Sequence, residues 1–370
     1  MSAHNRFLVL GIGNAQVDIL KYLKGRGDIE IYALSNTSKG RGYEFVDFFE
    51  EIDITNKEAV LAYAISKNIE YIYSVGSDVA MPTISWVADK MGLKSFVDYE
   101  TAKICNVKSL FRKELKGKYG SVSYELLGSN LTVNSDIGFP VIVKPVDSQG
   151  QRGVSTVFEP KGLEVAYNNA IGFSKRGEVI LEEKIMGEEI SVNAFMVKGE
   201  MIFFLPSGRK SWEEYDGGII HKHILPLDMD AETQLNIKRL ALETVSVLGI
   251  DDGPVYFQIK IVEKQPYLIE VTPRLDGCHM WNLIKASTGV DLLDMTLCHL
   301  MEEPIKIVDN YAIKSSLLEF LCQAPNETFS SIENDISSVY QEYYYDIGDT
   351  VKEMNGSMEK CGYKIVLKDS

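Results

Sequence analysis

Between Arg6 and Gly92 the chain alternates short apolar runs with stretches of helical period, and this constrains its fold more than any other feature. Residues 6–13 read as a buried strand entering a tight turn, and residues 16–24 as a helix. Residues 29–35 and 45–54 read as strands, the second short and followed by a loop. Residues 58–68 are helical, residues 70–76 a strand, and residues 82–92 a helix with Pro82 near its start. Strands separated by helices of this length must run parallel, in a sheet covered on both faces. Gly11 and Gly13 sit in the first strand–helix turn, where glycines let a backbone approach a pyrophosphate. The third glycine position of such a motif carries Gln16, and no acid closes the second strand at Ser35. A tight turn that needs glycine is therefore preferred over a dinucleotide site. The segment Ser74–Asp78 ends a strand where open α/β sheets place ligands, although capping of the loop by Ser77 or Asp78 accounts for it equally well.

At 370 residues the chain exceeds one ordinary domain. Its net charge of -15 argues against a general binder of nucleic acid or anionic membranes. No apolar run reaches the length of a membrane span. Residues 1–13 lack the basic start and long apolar core of a signal peptide. The five cysteines, at 105, 278, 298, 322 and 361, are scattered and odd in number. Reduced thiols in a cytoplasmic protein are expected.

Chemistry concentrates in the second half. Residues 253–274 read as two strands around a polar turn at Glu263–Gln265. If Ile261 faces Tyr267, the register sets Gln258 opposite Glu270, about 5 Å apart. Alternation then buries Phe257, Ile259 and Ile261 and groups Leu268, Glu270 and Thr272 on one face. Oxygen ligands on a hairpin suit Mg²⁺, and Arg274 just beyond suits a transferring phosphoryl group. Upstream, residues 139–146 form a strand with Lys144 inside an apolar run, which is costly unless the ammonium meets an anion. The polar loop Asp147–Val154 follows, and its backbone N–H groups can fold over phosphates. Residues 179–189 read as a strand end, a short linker and a second strand. The linker could present backbone groups to a purine edge, with Glu182 and Glu189 taking an amine or ribose hydroxyls.

In order and spacing these pieces resemble the ATP-grasp superfamily, including the carboxylate–amine ligases and the carbamoyl-phosphate synthetase large chain. The resemblance covers about residues 95–300. It implies that Lys108 and Lys144 contact the nucleotide phosphates and that Gln149, Gly150 and Gly153 belong to the glycine-rich lid. Glu182 and the backbone of Glu183 and Ile185 would meet adenine, and Glu189 the ribose. Gln258, Glu270 and Thr272 would hold Mg²⁺, or Mn²⁺ in its place, and Arg274 would act on the transferring group. Thr272 stands where the family usually has asparagine, and Gln258 where an acid is more frequent.

The implied architecture is a parallel α/β domain over residues 1–100, an ATP-grasp domain over 101–305 with its lid subdomain about 110–185, and a small β-rich module over 306–370. Fold class is α/β and α+β. The implied reaction is ADP-forming: a small carboxylate attacks ATP, and an amine displaces phosphate from the acylphosphate. Bicarbonate activation and a non-catalytic nucleotide-binding module are the alternatives. Residues 207–223 hold too much polarity and glycine for a simple strand pair, and were they to line the acceptor side, Arg209 or Lys210 could bind a carboxylate and His221 or His223 act as a base. Cys278 and His279 are read as pocket wall. Tyr343, Tyr344 and Tyr345 are expected to split between strand faces and to pack. Partners are small molecules, with a homodimer compatible and neither nucleic acid nor membrane expected.

Overall fold

The computed structural model describes residues 5–128, 131–133, 136–148, 150, 152–212, 219–308, 310–330, 337–353 and 358–368. Strands β1 (Asn5–Leu10), β2 (Ile29–Ser35), β3 (Phe48–Glu51) and β4 (Tyr71–Tyr73) form a parallel sheet in the order β3-β2-β1-β4. Helices α1 (Val17–Arg26), α2 (Lys57–Ser66) and α3 (Met81–Met91) connect and cover it. Residues 7–10 of the central strand β1 are an unbroken apolar run because both faces are buried there. The turn after β1 is filled by a side chain. Gln16 Oε1 accepts from the Gly13 N–H at 3.0 Å, and its amide donates to the Val75 carbonyl.

Helices α4 (Tyr99–Asn106) and α5 (Lys108–Glu114) lead into a small antiparallel sheet. Its strands are β5 (Tyr124–Leu127), β6 (Val141–Pro145), β7 (Ser155–Val157) and β8 (Val179–Glu183), ordered β5-β8-β6-β7. Helix α6 (Leu163–Phe173) buries Leu163, Ala166 and Ala170 against Val141, Val143 and Leu181, giving this unit its own core.

The largest sheet has eight antiparallel strands. They are β9 (Glu188–Val197), β10 (Glu200–Ser211), β11 (Ile220–Leu225), β12 (Gly253–Val262), β13 (Gln265–Thr272), β14 (Ser316–Gln323), β15 (Ser338–Tyr343) and β16 (Glu359–Leu367). Their order is β13-β12-β9-β10-β11-β14-β16-β15, so the last three strands of the chain continue this sheet. Helices α7 (Ala231–Leu248), α8 (Met280–Thr288) and α9 (Leu292–Leu300) pack on it. One face carries Ile190, Val192, Ala194, Val255, Phe257 and Ile259, buried in one core with Ile237, Leu240 and Ala241 of α7. The other face is polar, and that face builds the site.

Two local expectations are corrected. Residues 207–211 and 220–223 are paired strands, Arg209 opposite His223 and Lys210 opposite Lys222. Polarity is compatible with a strand here because Lys210 is exposed and Arg209 meets Tyr256 and Glu189 on the polar face of the sheet; residues 213–218 lie outside the described residues. In the β12–β13 hairpin the turn is two residues, Glu263 and Lys264, with Glu263 at φ 55° and Val262 opposite Gln265. Ile261 therefore faces Pro266 rather than Tyr267. A bulge at Ile269 restores Gln258 to its place opposite Glu270. The bulge also separates Leu268 from Glu270: Leu268 pairs with Ile259 on the apolar side, and Glu270 with Gln258 on the polar side.

Candidate active site

The polar face of the large sheet can be followed row by row. Thr272 pairs with Tyr256, Tyr256 with Asn193, and Asn193 with Leu205. In the next row Glu270 faces Gln258, Gln258 faces Ser191, and Ser191 faces Ser207. Further along, Lys260 faces Glu189, and Arg209 faces His223. Ser191, Asn193, Ser207, His223 and Thr272 are all buried. Among the described residues, Asn193 Nδ2, Thr272 Oγ1 and both ring nitrogens of His223 nevertheless lack hydrogen-bond partners. Buried polar atoms are almost always satisfied, so a row of orphans on one face is the signature of a ligand site.

Glu270 anchors one end. Among the described residues no group donates a hydrogen bond to its carboxylate. Burial pushes its pKa up, Asp78 pushes the same way, and Lys108, Arg274 and Arg209 oppose them. Gln258 Nε2 donates to Glu189 Oε1 at 2.6 Å, leaving the Gln258 carbonyl oxygen out of that bond. With Thr272 Oγ1 orphaned beside them, Gln258, Glu270 and Thr272 offer three hard oxygens and one negative charge. That set fits Mg²⁺ or Mn²⁺, with the remaining positions left to water and phosphate oxygens. Among the described residues no group of three His, Cys, Asp or Glu gathers at metal-binding distance, in keeping with a site poor in acids.

A cluster of cations faces this row. Lys144 Nζ donates to Glu182 Oε2 at 2.7 Å. Arg112 takes the same carboxylate from the other side, Nε to Oε1 at 2.9 Å and Nη2 to Oε2 at 3.2 Å. It also donates from Nη1 to the Leu268 carbonyl at 2.8 Å, tying α5 to β13. Lys108, at the start of α5, reaches the Ser148 carbonyl at 2.7 Å. Burial works to raise the Glu182 carboxyl, but Arg112 and Lys144 outweigh it and hold it at about 2. Burial pulls the Lys144 ammonium down, as do Arg112 and Lys108, against the pull of Glu182. Two cations thus grip one carboxylate, with Lys108 close enough to act on Lys144, and the uncompensated positive charge suits polyphosphate.

Arg274 lies beyond β13 and grips Asp78 through Nε at 2.7 Å and through Nη2. The approach that permits this is close. Gly76, at φ 65°, could not carry a side chain: its Cβ would fall 2.8 Å from the Ala15 Cβ and 2.9 Å from the Gly277 Cα. Arg209 donates to the Tyr256 hydroxyl at 2.6 Å and stands 2.7 Å from Glu189. His223 is wholly buried, and burial, then Arg209 and Lys360, push it well below its ordinary value.

The predicted residues therefore divide. Lys108, Lys144 and Glu182 meet in one cluster, and Gln258, Glu270 and Thr272 on one face. Arg209 and His223 share that face. Lys210 points away from it, exposed and paired with Glu188 at 3.0 Å. His223 is buried, and its surroundings disfavour its protonated form, which weakens it as a proton acceptor. His221 stacks on Trp212 at 3.7 Å and lies 3.1 Å from Glu319. Glu182 is gripped by Arg112 and Lys144, with two of the three bonds on Oε2 and one on Oε1. Glu189 Oε1 accepts from Gln258 and lies 2.7 Å from Arg209, while its Oε2 has Lys260 at 3.9 Å. The Glu183 N–H donates to the Ser123 carbonyl at 2.9 Å and so is already engaged. In the lid, Gly150 and Gly153 adopt positive φ, and Asp147 pins the loop by accepting from Ser174 Oγ at 3.0 Å and Arg176 N at 2.8 Å. Gln149 lies outside the described residues. Arg112 and Asp78 were not singled out as site residues. Arg112 had one legible signal: it follows Lys108 by one helical turn.

Residues 137–281 match the profile of the ATP-grasp domain. A phosphoribosylamine–glycine ligase from Methanococcus vannielii is 27% identical over 332 residues, covering 78% of this chain and 72% of that protein. A formate-dependent phosphoribosylglycinamide formyltransferase from Prochlorococcus marinus is 23% identical over 312 residues, covering 81% and 77%. Among solved structures, phosphoribosylglycinamide synthetase from Anaerococcus prevotii superposes with a TM-score of 0.79 at 21% identity, over 99% of this chain and 95% of that one. An L-amino acid ligase from Bacillus licheniformis gives 0.79 at 17% identity, over 99% and 94%. The match over residues 137–281 and the likeness to these ligases agree with the ATP-grasp resemblance carried by the oxygen-bearing row on the large sheet.

Proposed function

We propose that this protein is an ATP-dependent, ADP-forming ligase that joins a small carboxylic acid to an amine through an acylphosphate. The observation that carries this reading is the meeting of a surplus-cation cluster (Lys108, Arg112, Lys144) with the oxygen row Gln258, Glu270 and Thr272 on one polar sheet face. Phosphoryl transfer needs positioning and charge neutralisation more than covalent help. Lys108 and Lys144 hold the phosphates, and the Gly150–Gly153 lid closes over them and excludes water that would hydrolyse the acylphosphate. The backbone of Glu183 and Ile185 lines the purine. Gln258, Glu270 and Thr272 hold Mg²⁺ or Mn²⁺, which when bound neutralises phosphate charge and orients the terminal phosphoryl group. Arg274 adds positive charge where it develops in the transition state, and Asp78 fixes its direction.

Arg209 and His223 face the acid substrate, the first as a cation and the second as a neutral hydrogen-bonding ring. Among the described residues no helix is long and apolar enough to cross a membrane. A cytoplasmic location and a homodimer complete the reading; one structural neighbour, a biotin carboxylase domain, is described as a dimer. The test is ADP release from Mg·ATP over paired panels of acids and amines. The acid panel begins with glycine and formate, which the names of the relatives contain. Acid- and amine-dependent ADP release is expected. Release that depends on bicarbonate alone, or nucleotide binding with no turnover on any panel, would overturn the reading.

A further inference from the structure

Three side chains from distant parts of the chain meet in one buried hydrogen-bonded line. Asp18 belongs to α1, His279 directly precedes α8, and Tyr344 directly follows β15. His279 Nδ1 lies 2.9 Å from Asp18 Oδ2, and its Nε2 lies 2.9 Å from the Tyr344 hydroxyl. The donors and acceptors along this line can be assigned. Asp18 Oδ2 also receives Trp281 Nε1 and Asn282 Nδ2, each at 2.9 Å. An oxygen that takes three such contacts is that of an ionised carboxylate, an acceptor only. His279 Nδ1 therefore carries the ring proton, Nε2 holds the lone pair, and the Tyr344 O–H donates to it. Among the described residues nothing donates to the Tyr344 oxygen, whose lone pairs remain open.

The position of this oxygen matters. Arg41, from the loop after β2, lies over the Tyr344 ring at 5.2 Å. Cys278, four residues past Arg274, is close enough for its charge to act on the tyrosine. Arg209 and Arg274 in turn both act on the Cys278 thiol, beside His279, so the line lies on the side of the molecule that carries these two cations. His279 holds a left-handed backbone at φ 57°, a conformation that non-glycine residues seldom adopt without a compensating role.

We propose that Asp18, His279 and Tyr344 form a proton relay that deprotonates the attacking amine in the acyl-transfer half of the reaction. This rests on the ligase reading above. The amine nitrogen bonds to the acyl carbon, the carbon–oxygen bond to phosphate breaks, and phosphate leaves with the electron pair. The surplus proton on nitrogen passes to the Tyr344 oxygen as the Tyr344 proton passes to His279 Nε2. Asp18, at Nδ1, stabilises the imidazolium until it releases its proton to solvent. Tyr344 is the catalytic residue of the three, while Asp18 positions and polarises His279. Burial first, then Glu342 and Cys278, raise the tyrosine well above its ordinary value, against Arg41, so it works as a neutral relay and not as a phenolate.

Nitrogen-15 NMR of the imidazoles tests the relay without any substrate, since the chain has only five histidines and a His279→Gln variant assigns the signal. The Nδ1–H tautomer at neutral pH is expected; the Nε2–H tautomer or an imidazolium would overturn the relay. The second arm uses Tyr344→Phe with an acid and amine found by the panel assay, against hydroxylamine as a nucleophile that is largely unprotonated at neutral pH. The ratio of amide to hydroxamate should fall about 10²-fold or more. An equal loss of both products would reduce Tyr344 to a structural part. Absence of ADP release from the unaltered protein with every acid would count against the ligase reading itself and would leave the tautomer result standing.

Discussion

Arg274 and Asp78, 196 residues apart in sequence, share a two-pronged ion pair that locks the end of β13 to the loop after β4. The pair holds the guanidinium beside Glu270, whose own carboxyl feels both partners. Replacing Asp78 by Asn keeps the shape and removes the charge. The guanidinium then loses its fixed direction, and kcat should fall about 10- to 100-fold with Mg·ATP affinity little changed. Removing the like charge should also bring the Glu270 pKa down. An unchanged kcat would show that Arg274 needs no such anchor.

Lys144→Met should weaken Mg·ATP binding about 10- to 100-fold, the loss of one charge-assisted bond. Its far-UV dichroism should be unchanged. Arg112→Met should act differently, because it removes two bonds to buried Glu182 together with the bonds to the Leu268 and Ile269 carbonyls, whereas Lys144→Met leaves Arg112 gripping the carboxylate. A loss of stability of about 3–5 kcal/mol is expected from denaturant unfolding. Equal effects of the two variants on stability would contradict the division of labour between a phosphate ligand and a structural clamp.

Metal binding should depend on pH through Glu270. Its folded pKa is raised by burial and by Asp78, so the protonated form persists above the usual carboxylate range. Only the ionised form ligates a metal. Affinity for Mn²⁺, read by its electron paramagnetic resonance signal, should therefore weaken as pH falls through the raised value and recover as pH rises. In Glu270→Gln both the affinity and its pH dependence should be lost, together with ADP formation. Thr272→Asn should preserve or raise activity by offering a longer-reaching oxygen. A Glu270→Gln variant with normal turnover would place the metal elsewhere.

Much of this site was legible in the sequence. A lone lysine in an apolar strand marked Lys144, since burial demands an anion. Alternation marked the Gln258–Glu270 pair, although the bulge at Ile269 had to cancel a one-residue error in the turn. Tyr343 and Tyr345 pack on Phe329 while Tyr344 turns to His279, as alternating faces require. What stayed hidden depends on tertiary juxtaposition. Nothing near Asp78 announces Arg274, and nothing near Glu182 announces Arg112, because periodicity tells which face a residue takes and not what meets it there. The polar strands around Arg209 and His223 were hidden for a related reason: a strand whose side chains meet polar partners does not show the alternation of one facing a core.

The most direct test of the central claim is hydroxylamine trapping. Mg·ATP, the true acid and hydroxylamine should yield one hydroxamate per ADP, and Arg274→Ala should suppress both by weakening transition-state charge stabilisation. Formation of AMP in place of ADP, or of ADP with no hydroxamate at saturating hydroxylamine, would contradict an acylphosphate mechanism.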